Sequence, residues 1–153
     1  MTAADIVDDI ITRVKNAGAN TYIRGKCEYV HADNIYDPEE LAGIQGRSRL
    51  FTVTTDGGFS LTGPMGTIVE WTEIETTCLV SVLYELPASV KTVTKTVLED
   101  RDRLTYHLTR ADYYPTGVSR RVVDGANFTT EDHTGGSGIL ELTVSTLYQP
   151  TFS

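Results

Sequence analysis

The alternation of apolar and polar residues is cleanest near the end of the chain. Leu140, Leu142, Val144, Thr146 and Tyr148 fall on one face of an extended segment, and Glu141, Thr143, Ser145 and Gln149 on the other. This period of two predicts a strand from Ile139 to Tyr148 with one buried and one wetted side. The run Gly135-Gly136-Ser137-Gly138 leads into that strand and reads as a flexible hairpin loop. A phosphate cradle would need a helix N-terminus after the glycines instead.

The start of the chain has a helical period. Ile6, Val7, Ile10, Ile11 and Val14 form an apolar stripe, with Asp5, Asp8, Asp9 and Arg13 opposite, so a helix is predicted from about Ala3 to Ala17. Thr2 is placed to cap it with Asp5 three residues on, and Gly18 stands where a left-handed C-cap belongs. A second helix follows Pro87 and Ser89 and runs to about Arg110. Val90, Val93, Val97, Leu104 and Leu108 mark its buried stripe, and Glu99, Asp100, Arg101, Asp102 and Arg103 its outer face.

Strands are predicted over Thr21–His31, Leu50–Thr55 and Thr67–Leu86, the last one long or bent near Thr72 to Glu75. Cys78, Val80, Val82, Tyr84 and Leu86 share one of its faces. Asp56-Gly57-Gly58 reads as a closing turn, and Asp124-Gly125 as a hairpin turn between short strands Val118–Val123 and Ala126–Thr130. The segments 32–48 and 56–66 lack a clear period and read as extended loops leaving the sheet. The expectation is a single α+β domain over residues 1–153. It has one mixed, mainly antiparallel sheet, with an N-terminal amphipathic helix and a long central helix packed on it.

Composition narrows the function classes. The 153 residues are enough to bury a core, and 40% hydrophobic with 22% charged residues is ordinary for a globular chain. A net charge of -8 disfavours non-specific binding to duplex phosphates, because that affinity comes from Lys and Arg displacing counterions. No stretch approaches the roughly 20 apolar residues that span a bilayer. The opening Met1 to Asp5 lacks the basic and apolar regions of a secretory signal. Cys27 and Cys78 have no Cys-x-x-C spacing and read as reduced, buried residues of an intracellular protein.

No catalytic, cofactor or metal residue is expected. His31, His107 and His133 lack the short spacings of a zinc site. Cys27 and His31 share a face of a regular strand, but mid-strand placement lacks the cation or helix N-terminus that activates a thiol. Adjacent acids such as Asp8-Asp9 diverge on a solvated helix instead of converging across a cleft. The basic islands Arg47, Arg49 and Arg120, Arg121 read either as strand-edge protection and local ion pairing or as subunit contacts. In the second reading they meet Glu99, Asp100 and Asp102 of a neighbouring copy, and Glu141, Thr143 and Ser145 face a neighbour or a lumen.

Element order and the motifs Val90 to Arg110, Ser119-Arg120-Arg121-Val122-Val123 and Gly138 to Tyr148 resemble the tail terminator proteins of long-tailed bacteriophages. The resemblance covers nearly the whole chain. It implies a structural subunit without catalytic activity that forms a six-fold ring, caps the tail tube and stops its polymerisation. The implied partners are further copies of the chain, the tail-tube protein and a neck or head-completion protein, with DNA threading an acidic channel without specific binding. The implied location is the tail or neck of a virion assembled in the host cytoplasm. Two rivals stand beside it: another neck or tail-completion protein, and a small-molecule-binding cup or isomerase-like fold with Trp71, Tyr84 and Tyr106 lining a cavity.

Overall fold

A computed structural model describes residues 1–17, 27–29, 49–55, 59–62, 73–85, 90–130 and 137–151. In chain order these form helix α1 (Ala3–Asn16) and strands β1 (Cys27–Tyr29), β2 (Arg49–Thr54), β3 (Phe59–Thr62) and β4 (Glu73–Glu85). Helix α2 (Val90–Thr109), a 3-10 turn (Ala111–Tyr113) and strands β5 (Val118–Thr130) and β6 (Ser137–Tyr148) complete the order. The strands make one six-stranded sheet in the order β1-β2-β4-β6-β5, with β3 also paired to β4. Among the described residues only the β1–β2 pair is parallel. The fold is the expected α+β arrangement with a mixed, mainly antiparallel sheet.

Strand β4 is the spine. One edge pairs with β6 along its length, from Ile74 opposite Tyr148 to Glu85 opposite Ser137. The same register puts Ile74, Thr76, Cys78, Val80, Val82 and Tyr84 on one face with Leu140, Leu142, Val144, Thr146 and Tyr148, and all of these are buried. Ile6, Ile10 and Val14 of α1 and Val97, Leu104 and Leu108 of α2 join this face in one core. Each such side chain contributes about 1.5–3 kcal/mol on leaving water. Both helices therefore lie on one side of the sheet.

Local chemistry explains the ends of α1. The Thr2 hydroxyl accepts from the Asp5 N–H, and the Asp5 carboxylate accepts from the Thr2 N–H at 2.6 Å, a complete capping box. The Thr2 N–H first, and then the Thr2 hydroxyl, which lies 2.9 Å from the same Asp5 Oδ2, hold the Asp5 carboxyl below its ordinary value. The last turn closes on Ala17 in extended conformation, whose N–H reaches the carbonyls of Arg13 and Val14. Gly18, expected to cap the helix, lies outside the described residues. Thr151 donates its N–H to the Met1 carbonyl at 3.1 Å, so both ends of the described chain meet beside α1.

Strand pairing departs from expectation around two Asp-Gly sequences. Thr54 lies opposite Leu79 and Phe59 opposite Thr76, and both strands run antiparallel to β4. β2 and β3 thus run in the same direction along β4, and Thr55 Oγ1 donates to the Thr77 carbonyl at 3.1 Å; Asp56-Gly57-Gly58, expected as a turn, lies outside the described residues. Phe59–Thr62, expected as part of a loop over 56–66, is a strand. At Asp124-Gly125 the expected hairpin is absent, and β5 runs unbroken past a register shift between Val123 and Gly125. Continued pairing with β6 before and after the bulge outweighs the local turn preference of Asp124-Gly125. The strand expected over Thr21–His31 is described as Cys27–Tyr29, and the loop expected at 32–48 lies outside the described residues.

Candidate functional site

Two irregularities in β5 decide where its charges go. Val118 pairs with Tyr148 and Arg120 with Leu147, so Ser119 is an extra residue, as Asp124 is further on. Strict alternation from Val118 would send Arg120 inward and Arg121 outward. The bulge at Ser119 reverses this, setting Arg121 opposite the buried Thr146 and Arg120 on the outer face with Leu147. Arg121, expected on an exposed basic island, is therefore buried, while Arg120 is exposed.

Around Arg121 the structure builds a polar junction between both helices and the sheet edge. Arg121 Nη1 lies 2.8 Å from Asp9 Oδ2, an ion pair without the alignment of a hydrogen bond, and Arg121 Nε donates to Thr146 Oγ1 at 2.9 Å. The Arg121 guanidinium also sits 5.9 Å from the centre of the Tyr114 ring. Asp9 is shared with Arg13, at 3.4 Å. The Tyr114 hydroxyl accepts from the Arg121 backbone N–H at 3.1 Å and lies within donating distance of the carbonyls of Thr109 and Arg121. Having one proton, it serves one carbonyl at a time. Tyr114 thus substitutes for a neighbouring strand at this point on the edge.

The acidic face expected on α2 also divides. Val97, Asp100, Leu104 and Leu108 recur at three, four and four, which puts Asp100 within the apolar stripe. Asp100 is buried and accepts a hydrogen bond from the Tyr84 hydroxyl of β4. The expectation of an exposed Asp100 is corrected, since its partner comes from the sheet beneath it. Glu99 and Asp102 are exposed, and Asp102 Oδ1 is held by its neighbour Arg101 at 2.7 Å. An open groove of about 510 Å³ on this surface is lined by Thr94, Lys95, Leu98, Glu99 and Asp102.

On the outer sheet face, Glu141 and Thr143 are half-buried, and Ser145, expected to be wetted, is buried. Ser145 Oγ donates to Asp124 Oδ2 at 2.6 Å and lies 3.1 Å from Thr77 Oγ1, which makes a hydroxyl chain across β4, β6 and β5. A shallow depression of about 240 Å³ beside it is lined by Thr54, Thr55, Thr77, Cys78, Leu79 and Thr143. The far end of the same face is apolar, where Leu50, Leu83 and Ile139 are buried together. Arg49 opens β2 in register with Tyr84, and Arg47 lies outside the described residues.

One cluster was not anticipated. The Tyr113 ring lies 5.1 Å from the guanidinium of Arg13, 4.8 Å from that of Arg110 and 5.0 Å from the His107 ring. Arg110 Nη1 donates to the hydroxyls of Tyr106, at 2.8 Å, and Tyr113, at 3.2 Å, while Nε and Nη2 donate to Asp112. The Asp112 hydrogen bond chiefly raises the Arg110 pKa. Partial burial, then the charges of Arg13 and Arg110, lower that of His107. The spacing of Tyr106 and Arg110 at i and i+4 was the available signal, since it puts both on one helix face.

Tyr84 and Tyr106, expected to line a common cavity, are apart: Tyr84 is in the core and Tyr106 is 59% exposed. Trp71, His31 and His133 lie outside the described residues. Cys78 is a buried cysteine. Among the described residues no group of three or more His, Cys, Asp or Glu side chains is placed to hold a metal, and no helix is long and apolar enough to cross a membrane. No known protein-family model matches the chain, and a comparison with curated proteins finds no significant match.

Proposed function

We propose that the protein is a structural subunit of a bacteriophage tail, a terminator that closes into a six-fold ring on the tail tube, stops its growth and presents a surface to the neck. The observation that carries this reading is that both the helix layer and the outer face of the sheet present charged side chains at the surface. Glu99 and Asp102 are exposed on α2, in the helix layer. Arg120 is exposed on the face of the sheet turned away from the helices. A head-to-tail ring needs two different complementary patches on each copy, and this reading draws them from these two surfaces, where Lys95 and Arg103 stand with the acids of α2 and Asp124 and Glu141 with Arg120.

Glu141 and Thr143 share the outer face with Arg120 and belong to the same contact or to the lumen. The acidic balance of the chain suits a channel through which DNA passes without sticking. In this reading the protein works in the virion, assembled in the host cytoplasm, and carries no catalytic site. The test is to image the purified protein by negative stain, alone and mixed with tail-tube subunits. Rings with a central hole and tubes capped at fixed length are expected. Protein that stays monomeric beside tubes of uncontrolled length would sink the proposal.

A further inference from the structure

The edge strand β5 is protected over its first half and open over its second. Bulges at Ser119 and Asp124, the charge of Arg120 and the Tyr114 hydroxyl on the backbone of Arg121 all guard the first half. These are the devices by which natural sheets avoid pairing with other chains. From Gly125 to Thr129 there is no bulge, no proline and no charge, and Gly125, Ala126, Asn127 and Thr129 are exposed.

The direction of the free backbone groups follows from the register. Arg121, opposite Thr146, turns its N–H and C=O away from β6 to meet Tyr114. Strand β6 keeps unbroken alternation against β4, and the irregularities lie on β5 alone. Ala126 opposite Leu142 and Phe128 opposite Leu140 therefore also turn their N–H and C=O groups to the open edge.

We propose that this edge pairs with the same edge of a second copy of the chain, antiparallel about a two-fold axis at Asn127, to join two sheets into one. Ala126 then exchanges N–H···O bonds with Phe128 of the second copy, and the two-fold repeats the pair. On the helix side, the exposed Ala126 meets a half-buried Phe128, small against large. On the other side Asn127 meets Asn127, and their amides can bond to each other. The uncharged stretch is also where two chains of net charge -8 approach without opposed like charges. A short strand pair makes a weak, concentration-dependent dimer. The contact does not rest on the ring reading.

The experiment is sedimentation of the full chain over a dilution series. The wild-type mass should rise toward twice 16.8 kDa with concentration. Asn127→Lys and Asn127→Asp should each stay monomeric, because the axis sets each new charge against itself, and an equimolar mixture should regain the dimer. Asn127 is exposed, so both variants keep the wild-type circular dichroism. Ala126→Pro, which removes an outward N–H and no bond to β6, should also abolish the dimer. A wild-type monomer at every concentration, or an assembly whose mass Asn127→Lys leaves unchanged, overturns the proposal. Rings that persist in Asn127→Lys would leave the ring reading standing and remove this one, and dimers without rings would do the reverse.

Discussion

Arg121 Nη1 lies 2.8 Å from Asp9 Oδ2, an ion pair that ties the sheet's edge strand to the first helix. The pair is asymmetric. The Arg121 side chain is 0% exposed and that of Asp9 17%, so water can still reach the acid but not the base. Arg121 Nη2 has no hydrogen-bond partner, which makes the guanidinium depend on Asp9 for its charge balance.

Removing Asp9 should therefore cost more than removing Arg121. Asp9→Ala strands a buried cation, and a loss of about 3–5 kcal/mol is expected. Arg121→Met leaves an acid that is partly solvated and still near Arg13, and it fills the space with an apolar chain, so its cost is smaller. The double variant Asp9→Ala/Arg121→Met should recover much of the first loss. Urea unfolding of the three variants measures this, and additive losses would contradict the pairing.

The bulge at Ser119 sets the phase of β5, and deletions can test it. Removing Ser119 yields a regular ladder in which Arg121 still faces inward. The expected loss is about 1 kcal/mol, for the exposed Ser119 to Glu73 hydrogen bond. Deleting Val122 instead turns Val123 outward and brings Asp124 in opposite Val144, an uncompensated acid in the core that costs several kcal/mol. Thermal melts that rank the two deletions the other way would show that the phase is set elsewhere.

Acid should weaken the cluster at Tyr113. The His107 pKa is lowered from 6.5 by partial burial and by the Arg13 and Arg110 charges, with Asp9 and Asp112 as the counter-charges on those arginines. A histidine that resists protonation in the fold contributes stability above its unfolded value, and this is lost as pH falls through the lower folded value. The melting temperature should fall in that window, and His107→Gln should flatten the fall. Asp5 acts in the same sense at lower pH, below the carboxylate value of 3.8. A melting temperature that rises on acidification in wild type but not in His107→Gln would contradict the assignment.

Much of the fold was legible before any coordinates. The stripe Ile6, Ile10, Val14 and the alternations of β4 and β6 correspond directly to the core, because period and amphipathicity are local properties of the chain. Even Asp100 was within reach, since the spacing of Val97, Leu104 and Leu108 includes it. Its charge argued for the surface more strongly than its position argued for burial. Asp124-Gly125 misled for a different reason, because its turn preference is weak against a pairing with β6 that continues on both sides of it.

The sequence alone thus determined the two helices, the apolar faces of β4 and β6 and the α+β class. The tertiary structure decided which charges are available at the surface. A one-residue bulge exchanged Arg120 and Arg121 between the two faces of β5, and Asp9 of α1 and the Tyr84 hydroxyl of β4 supplied the partners of Arg121 and Asp100 from other elements. Neither effect leaves a mark in local periodicity. A strand's phase and a buried charge's partner are set by contacts between residues far apart in the chain.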